Sequence, residues 1–107
     1  MTKELLMTKL RPHLPLNALR AFESSARHLN FTRTGLELSV TQAAVSQQVR
    51  ALEERLGCTL FTRLPRGLDL TDEGRALLPA LSDAFSRIET VLKPFDGGRR
   101  RAVGSRH

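Results

Sequence analysis

Gln42, Ala43, Ser46 and Gln47 are the side chains of this sequence best placed to recognise a partner. They open a stretch in which Val45, Val49, Leu52 and Leu56 recur at steps of four, three and four residues. That spacing puts the four apolar residues on one stripe of a helix. Ala43, Gln47 and Arg50 fall on roughly the opposite side, flanked by Gln42 and Ser46. The outward face is therefore small or hydrogen-bonding and carries few charges, whereas a merely solvated face is usually rich in Lys and Glu. Gln can bond bidentately to adenine, Ser is permissive, and Ala suits a thymine methyl group. A face of this kind can enter the major groove of duplex DNA and touch base edges.

Further groups flank that face. Thr32 and Thr41 sit where helices are expected to start, so each can offer a hydroxyl and backbone N–H donors to a phosphate. Simple N-capping explains both equally well. Arg50 can reach a phosphate or a base, Arg63 a DNA backbone, and Arg66 lies in Pro65-Arg66-Gly67, which is turn chemistry.

Other chemistries find no support. His13, His28 and His107 are scattered, without metal-ligand spacing or a carboxylate cluster, so neither a metal nor a cofactor is expected. Ser46 has no nearby His or Gly-rich nucleophile elbow, which argues against a hydrolase and leaves no enzyme constellation. The single Cys58 excludes an internal disulfide, fits a reducing cytoplasm and reads as a small buried hydrophobe. Five Phe with no Trp or Tyr give few rings for stacking single-stranded bases. No apolar run approaches a membrane span, and MTKELLMTKL lacks the apolar core of a signal peptide. The net charge of +6 suits an anionic partner, yet most of it lies at the ends. Residues 1–20 carry +3 (Lys3, Lys9, Arg11 and Arg20 against Glu4) and residues 97–107 carry +4 (Arg99, Arg100, Arg101, Arg106). Residues 31–70 carry only +1, from five Arg against four acids, so the centre must act through placement of groups.

The elements that would place them follow from pattern. Pro12 and Pro15 keep residues 1–15 extended as an arm. A helix then runs from about Asn17 to Leu29, with Leu19, Phe22, Ala26 and Leu29 as its apolar stripe. A second helix spans about Thr32 to Leu38, capped by Asn30 or Thr32. After the Ser39-Val40 turn, Thr41 caps a third helix that ends at Gly57. The period then changes to two, and Leu60–Arg63 and Leu68–Leu70 read as strands around the Pro-Arg-Gly turn. Thr71 caps a fourth helix to about Leu92, with Asp72 and Glu73 at its positive end and a local bend expected at Pro79. Leu77, Leu81, Ala84, Phe85, Ile88 and Val91 form its seam, more apolar surface than so small a domain can cover. A homodimer through this helix is the expected solution. The fold class is thus mainly α: a three-helix core plus a β-hairpin wing, the winged helix-turn-helix arrangement, over residues 16–71. A linker and dimerisation helix over 72–93 and a flexible basic tail over 94–107 complete the plan.

With those motifs in hand, Leu16 to Leu78 resembles the DNA-binding part of the LysR-type transcriptional regulators. Three pieces carry the likeness together: SVTQAAVSQQVRALEERLG, the strand LFTR, and RGLDLTDEG leading from the wing into the linker helix. RPHLPLNALRAFE, ARHLNFTR, TRLPRGL and LLPAL are most similar to the AmpR-type group that controls β-lactamase genes. The resemblance implies a cytoplasmic bacterial transcription factor that dimerises through the linker helix and binds double-stranded DNA at an imperfect palindrome. It implies base-facing roles for Gln42, Ala43, Ser46 and Gln47. It also implies a minor-groove role for Arg66, which favours narrow A·T-rich sites.

Two departures stand out. Thr34-Gly35 replaces a pair of small residues, often Ala-Ala, which weakens the second helix by about 1 kcal/mol but permits close helix approach. RRRAVGSRH does not read as the opening strand of the effector domain such regulators carry, so no small-molecule effector site is expected here, and a frameshifted, truncated or fragmentary coding sequence would explain its absence. The alternative is a dominant-negative interaction protein that heterodimerises with a full-length regulator through the same seam.

Overall fold

The computed structural model describes residues 14–105, with side chains through Phe95. Most of the expected N-terminal arm, and residues 106–107, lie outside the described residues. In chain order the elements are α1 (Leu16–His28), α2 (Phe31–Leu38), α3 (Gln42–Leu56), β1 (Phe61–Leu64), β2 (Gly67–Leu70) and α4 (Asp72–Ser105).

Helix α1 follows Pro15 and buries Ala18, Ala21, Phe22 and Ala26, so its stripe is centred where the spacing put it. Leu29 is the exception, 39% exposed, because it caps the helix in the left-handed region at φ 51°. Of the two cap candidates for α2, Asn30 takes the role: its side chain accepts from the Arg33 N–H at 2.9 Å. Thr41 caps α3 as expected, accepting from the Ala44 N–H at 3.0 Å. Gly57 ends α3 at φ 73°, a conformation that costs a side chain about 1 kcal/mol or more and costs glycine nothing.

Phe22, Val45, Val49, Leu52 and Leu60 are almost wholly buried and form the centre of the core. Each contributes roughly 1.5–3 kcal/mol by leaving water. Phe61 joins them through a tilted contact with Phe22, ring centroids 5.4 Å apart, and an edge contact with Phe31 at 5.9 Å. Three helices and the first strand are thereby tied at one point. Cys58 packs half-buried against this core.

The hairpin is antiparallel, pairing Phe61 with Leu70, Thr62 with Asp69, Arg63 with Leu68 and Leu64 with Gly67. Its first strand is shifted one residue from the expected Leu60 start. Leu60 is drawn out of the ladder because its N–H goes to Glu53 and its carbonyl accepts from the Thr71 N–H.

Thr71 starts α4, its hydroxyl donating to the Thr59 carbonyl at 2.8 Å and accepting from the Gly74 N–H at 3.1 Å. The helix does not stop near Leu92. It runs through Pro79 and Pro94 to Ser105, so the backbone over 94–105 is helical where an aperiodic tail was expected. Each proline forgoes one backbone bond, and the Arg99-Arg100-Arg101-Ala102 run is rich in good helix formers.

Candidate nucleic-acid interface

The recognition face stands on α3. Val45 and Val49 are fully buried and Leu52 nearly so, which fixes the rotation of the helix about its axis. Gln42, Ala43, Gln47 and Arg50 are consequently exposed, and Ser46 is half-buried at the margin. The four small or amide residues occupy the first turn and a half of the helix.

Helix α2 packs close beside it. Thr34 is fully buried, and a side chain at Gly35 would place its Cβ 2.6 Å from the Val40 carbonyl oxygen. Glycine is what lets the turn fold onto α2 at that distance. The starts of α2 and α3 are thus brought together, and the Thr32 hydroxyl donates to Gln42 Oε1 at 3.2 Å. Thr32 caps nothing, since Asn30 holds that position.

Behind this pair a polar cluster locks α1 to α2. Glu37 accepts from Arg27 Nη2 at 2.7 Å and lies 2.6 Å from His28 Nε2 and 3.1 Å from the Ser24 hydroxyl. Hydrogen bonds from Arg27, then from His28, hold the Glu37 carboxyl down at about 2 against the slight opposing effect of burial. Hydrogen bonds to Glu23, then to Glu37, raise the Arg27 guanidinium further above its ordinary range. Arg27 also pairs with Glu23 at 2.8 Å, and Glu23 accepts from the Ser82 hydroxyl of α4 at 3.1 Å. A chain of polar contacts therefore runs from the long helix through α1 to α2.

The wing is held from α3. Glu53 Oε2 accepts from the Leu60 N–H at 2.7 Å and the Phe61 N–H at 3.3 Å, and Oε1 lies 3.8 Å from Arg63 Nη2. Arg63 also rests over the Phe31 ring, 5.4 Å from its centroid. Arg63, read from sequence as a DNA-backbone contact, thus has two protein partners. Arg66 is exposed at the hairpin turn.

The structure divides the expected seam of α4. Leu77 and Leu81 pack half-buried against the chain's own core, and Phe85 is half-buried. Ala84, Ile88 and Val91 are exposed, and Leu92 and Phe95 extend the open row. Sequence reasoning missed Glu53, the Thr32–Gln42 bond and the Glu37 cluster. Each joins residues seven to thirteen positions apart with no local periodicity to announce it.

A three-helix core whose third helix presents an uncharged polar face beside a basic hairpin defines a winged helix-turn-helix. A profile described as bacterial regulatory helix-turn-helix protein, lysR family, matches residues 16–75, and the chain belongs to that family. It is 68% identical over 94 residues to the HTH-type transcriptional activator AmpR of Pseudomonas aeruginosa, covering 88% of this chain and 32% of that protein. Against the AmpR activator of Providencia stuartii the identity is 70% over 93 residues, 87% of this chain and 32% of the relative. The chain spans about a third of the length of these relatives. Among solved structures, the CbnR DNA-binding domain in its DNA complex matches with a TM-score of 0.62 and 31% identity, over 82% of this chain and 95% of that one. Its place among these regulators agrees with the expectation that the chain is not an enzyme.

Proposed function

We propose that this chain binds double-stranded DNA sequence-specifically as the reading end of a transcriptional regulator, and that it does so as a homodimer. The observation that carries the reading is the exposed set Gln42, Ala43, Ser46 and Gln47 standing opposite the buried Val45, Val49 and Leu52 stripe. In this reading the first turns of α3 enter the major groove and those four side chains meet base edges. The Thr32 backbone N–H near the start of α2, together with Thr41 and Arg50, contacts phosphates around the helix entrance. Arg66 at the hairpin turn enters a flanking minor groove, favouring A·T-rich sequence where that groove is narrow. Arg63 steadies the wing and adds a positive charge near the DNA backbone.

The dimer reading rests on α4, whose outer row is apolar with Ile88 51% and Val91 64% exposed. Two chains joined there would set two recognition helices apart and match an imperfect palindrome, as two-fold symmetry requires. Similarity to a carbapenem-hydrolyzing beta-lactamase transcriptional activator of Enterobacter cloacae, 60% identical over 94 residues, supports a β-lactamase gene as the controlled target and the bacterial cytoplasm as the compartment. No helix among the described residues is long and apolar enough to cross a membrane.

The test is equilibrium binding to duplexes from an A·T-rich palindrome library across a salt series. Specific binding with a log–log salt slope of several units is expected. Equal affinity for scrambled duplexes would sink the reading.

A further inference from the structure

Two side chains at the front of the recognition face are linked to each other. Thr32 is the second residue of α2 and Gln42 the first of α3. Neither is needed to cap its helix, because Asn30 and Thr41 do that. The Thr32 hydroxyl is free to act elsewhere, and it donates to Gln42 Oε1 at 3.2 Å. The approach of the two helices that makes this possible is fixed by the buried Thr34 and by Gly35 against the Val40 carbonyl.

A glutamine amide has two ends of opposite character: the oxygen accepts and the nitrogen donates. Its terminal torsion is broad and nearly two-fold, so a free Gln presents either end to a groove. We infer that Thr32 is a specificity-determining residue that fixes the Gln42 amide with its donor end outward. This rests on the reading of α3 as a major-groove helix. With Oε1 held toward α2, Nε2 carries two free N–H groups away from the protein. That end matches the purine N7, guanine O6 and thymine O4 acceptors, while cytosine offers only a donor there. The second lone pair of Oε1 remains open, so the bidentate bond to adenine is still available. The locked pair therefore discriminates against cytosine at one base pair of each half-site.

The experiment uses the whole 107-residue chain and a duplex library with every half-site position randomised, read as base frequency after equilibrium selection. Wild type, Thr32→Val, Thr32→Ser, Gln42→Ala and the Thr32→Val/Gln42→Ala double variant are compared. Wild type should deplete cytosine at one position, and Gln42→Ala identifies that position by losing the preference. Thr32→Val should relax the same position by roughly fivefold, the low end of what a good amide–base pair discriminates. Thr32→Ser keeps the hydroxyl and should keep the wild-type pattern, and the double variant should match Gln42→Ala alone. The inference is overturned if Thr32→Val weakens all sequences alike, as a pure phosphate contact would. It is also overturned if the positions it relaxes are untouched by Gln42→Ala. A wild-type chain that enriches no sequence removes the DNA-reading function itself, and this inference with it, whereas an unchanged Thr32→Val profile removes this inference alone.

Discussion

Single side chains here divide into those spent on the fold and those left free for a partner. Ser25 belongs to the first group and is badly served: it is fully buried on α1, and its hydroxyl has no hydrogen-bond partner among the described residues. Ser25→Ala removes that orphan and substitutes a better helix former, so it should stabilise the chain by about 1 kcal/mol in chemical denaturation. Arg66 belongs to the second. Its exposed position at the turn, with no ion-pair partner recorded among the described residues, leaves the whole charge available. Arg66→Ala should weaken binding and reduce the log–log salt slope by about one unit, and an unchanged slope would take Arg66 out of the interface. Glu37 gives a pH signature. Its carboxyl sits at about 2 in the folded chain against an ordinary 4.5, so the stabilisation it supplies is present above the ordinary value and is lost as pH falls toward 2. Acid unfolding followed by circular dichroism should show Glu37→Gln losing part of the wild-type slope in that window. The group is more than a third exposed, so solvent screening keeps the effect modest.

At the scale of elements, the contact that matters for reading DNA is the one between α3 and the wing. Glu53 accepts two backbone N–H groups at the foot of β1 and pairs with Arg63, while it is only 11% exposed. Glu53→Ala leaves those donors without an acceptor, a cost of about 1–3 kcal/mol. It should also free the hairpin, seen as faster amide hydrogen exchange in β1 and β2 with α3 still protected. Uniform loss of protection would mean that Glu53 holds the core and not the wing. The helices themselves were legible from sequence because each carries its instructions locally: Thr41 before α3, Gly57 after it, and an apolar stripe between. The wing was legible through its change of period and its Pro-Arg-Gly turn, but its first strand starts one residue later than the pattern placed it because Leu60 answers to Glu53, seven residues back. The end of α4 was misjudged for the opposite reason. Pro94 and Gly97-Gly98 are strong local stop signals, yet the helix passes through all three. The candidate base-facing set was legible because exposure on α3 follows from the Val45–Val49–Leu52 stripe. The Thr32–Gln42 bond was not, since it depends on how closely Gly35 lets two helices meet.

For the whole molecule, the proposed dimer makes the long helix the element that sets how many reading heads act together. Its first half is already committed, with Leu77, Leu78 and Leu81 packed on the chain's own core and Ser82 tied to Glu23. Among the described residues, those from Ile88 to Phe95 are not. Ile88, Val91, Leu92 and Phe95 fall at spacings of three, one and three on one face and are each about half exposed or more. Leu16, Phe85 and Ile88 line a groove beside that face, between α1 and α4, so the apolar surface reaches back toward the DNA-reading domain. In the proposed dimer this contiguous row is covered by a copy of the same helix, which offers a matching row. Val91→Asp separates this reading from a merely exposed row, because a charge at an open position leaves the isolated domain's stability nearly unchanged. Sedimentation equilibrium should show the wild type near twice the 12.0 kDa chain mass and the variant near that mass itself. On a duplex carrying one half-site the two proteins should bind alike. On the full palindrome the variant should lose the gain that comes from linking two heads, at least tenfold in affinity. Equal binding to the palindrome by both would mean that the heads act singly and that the open row of α4 serves another purpose.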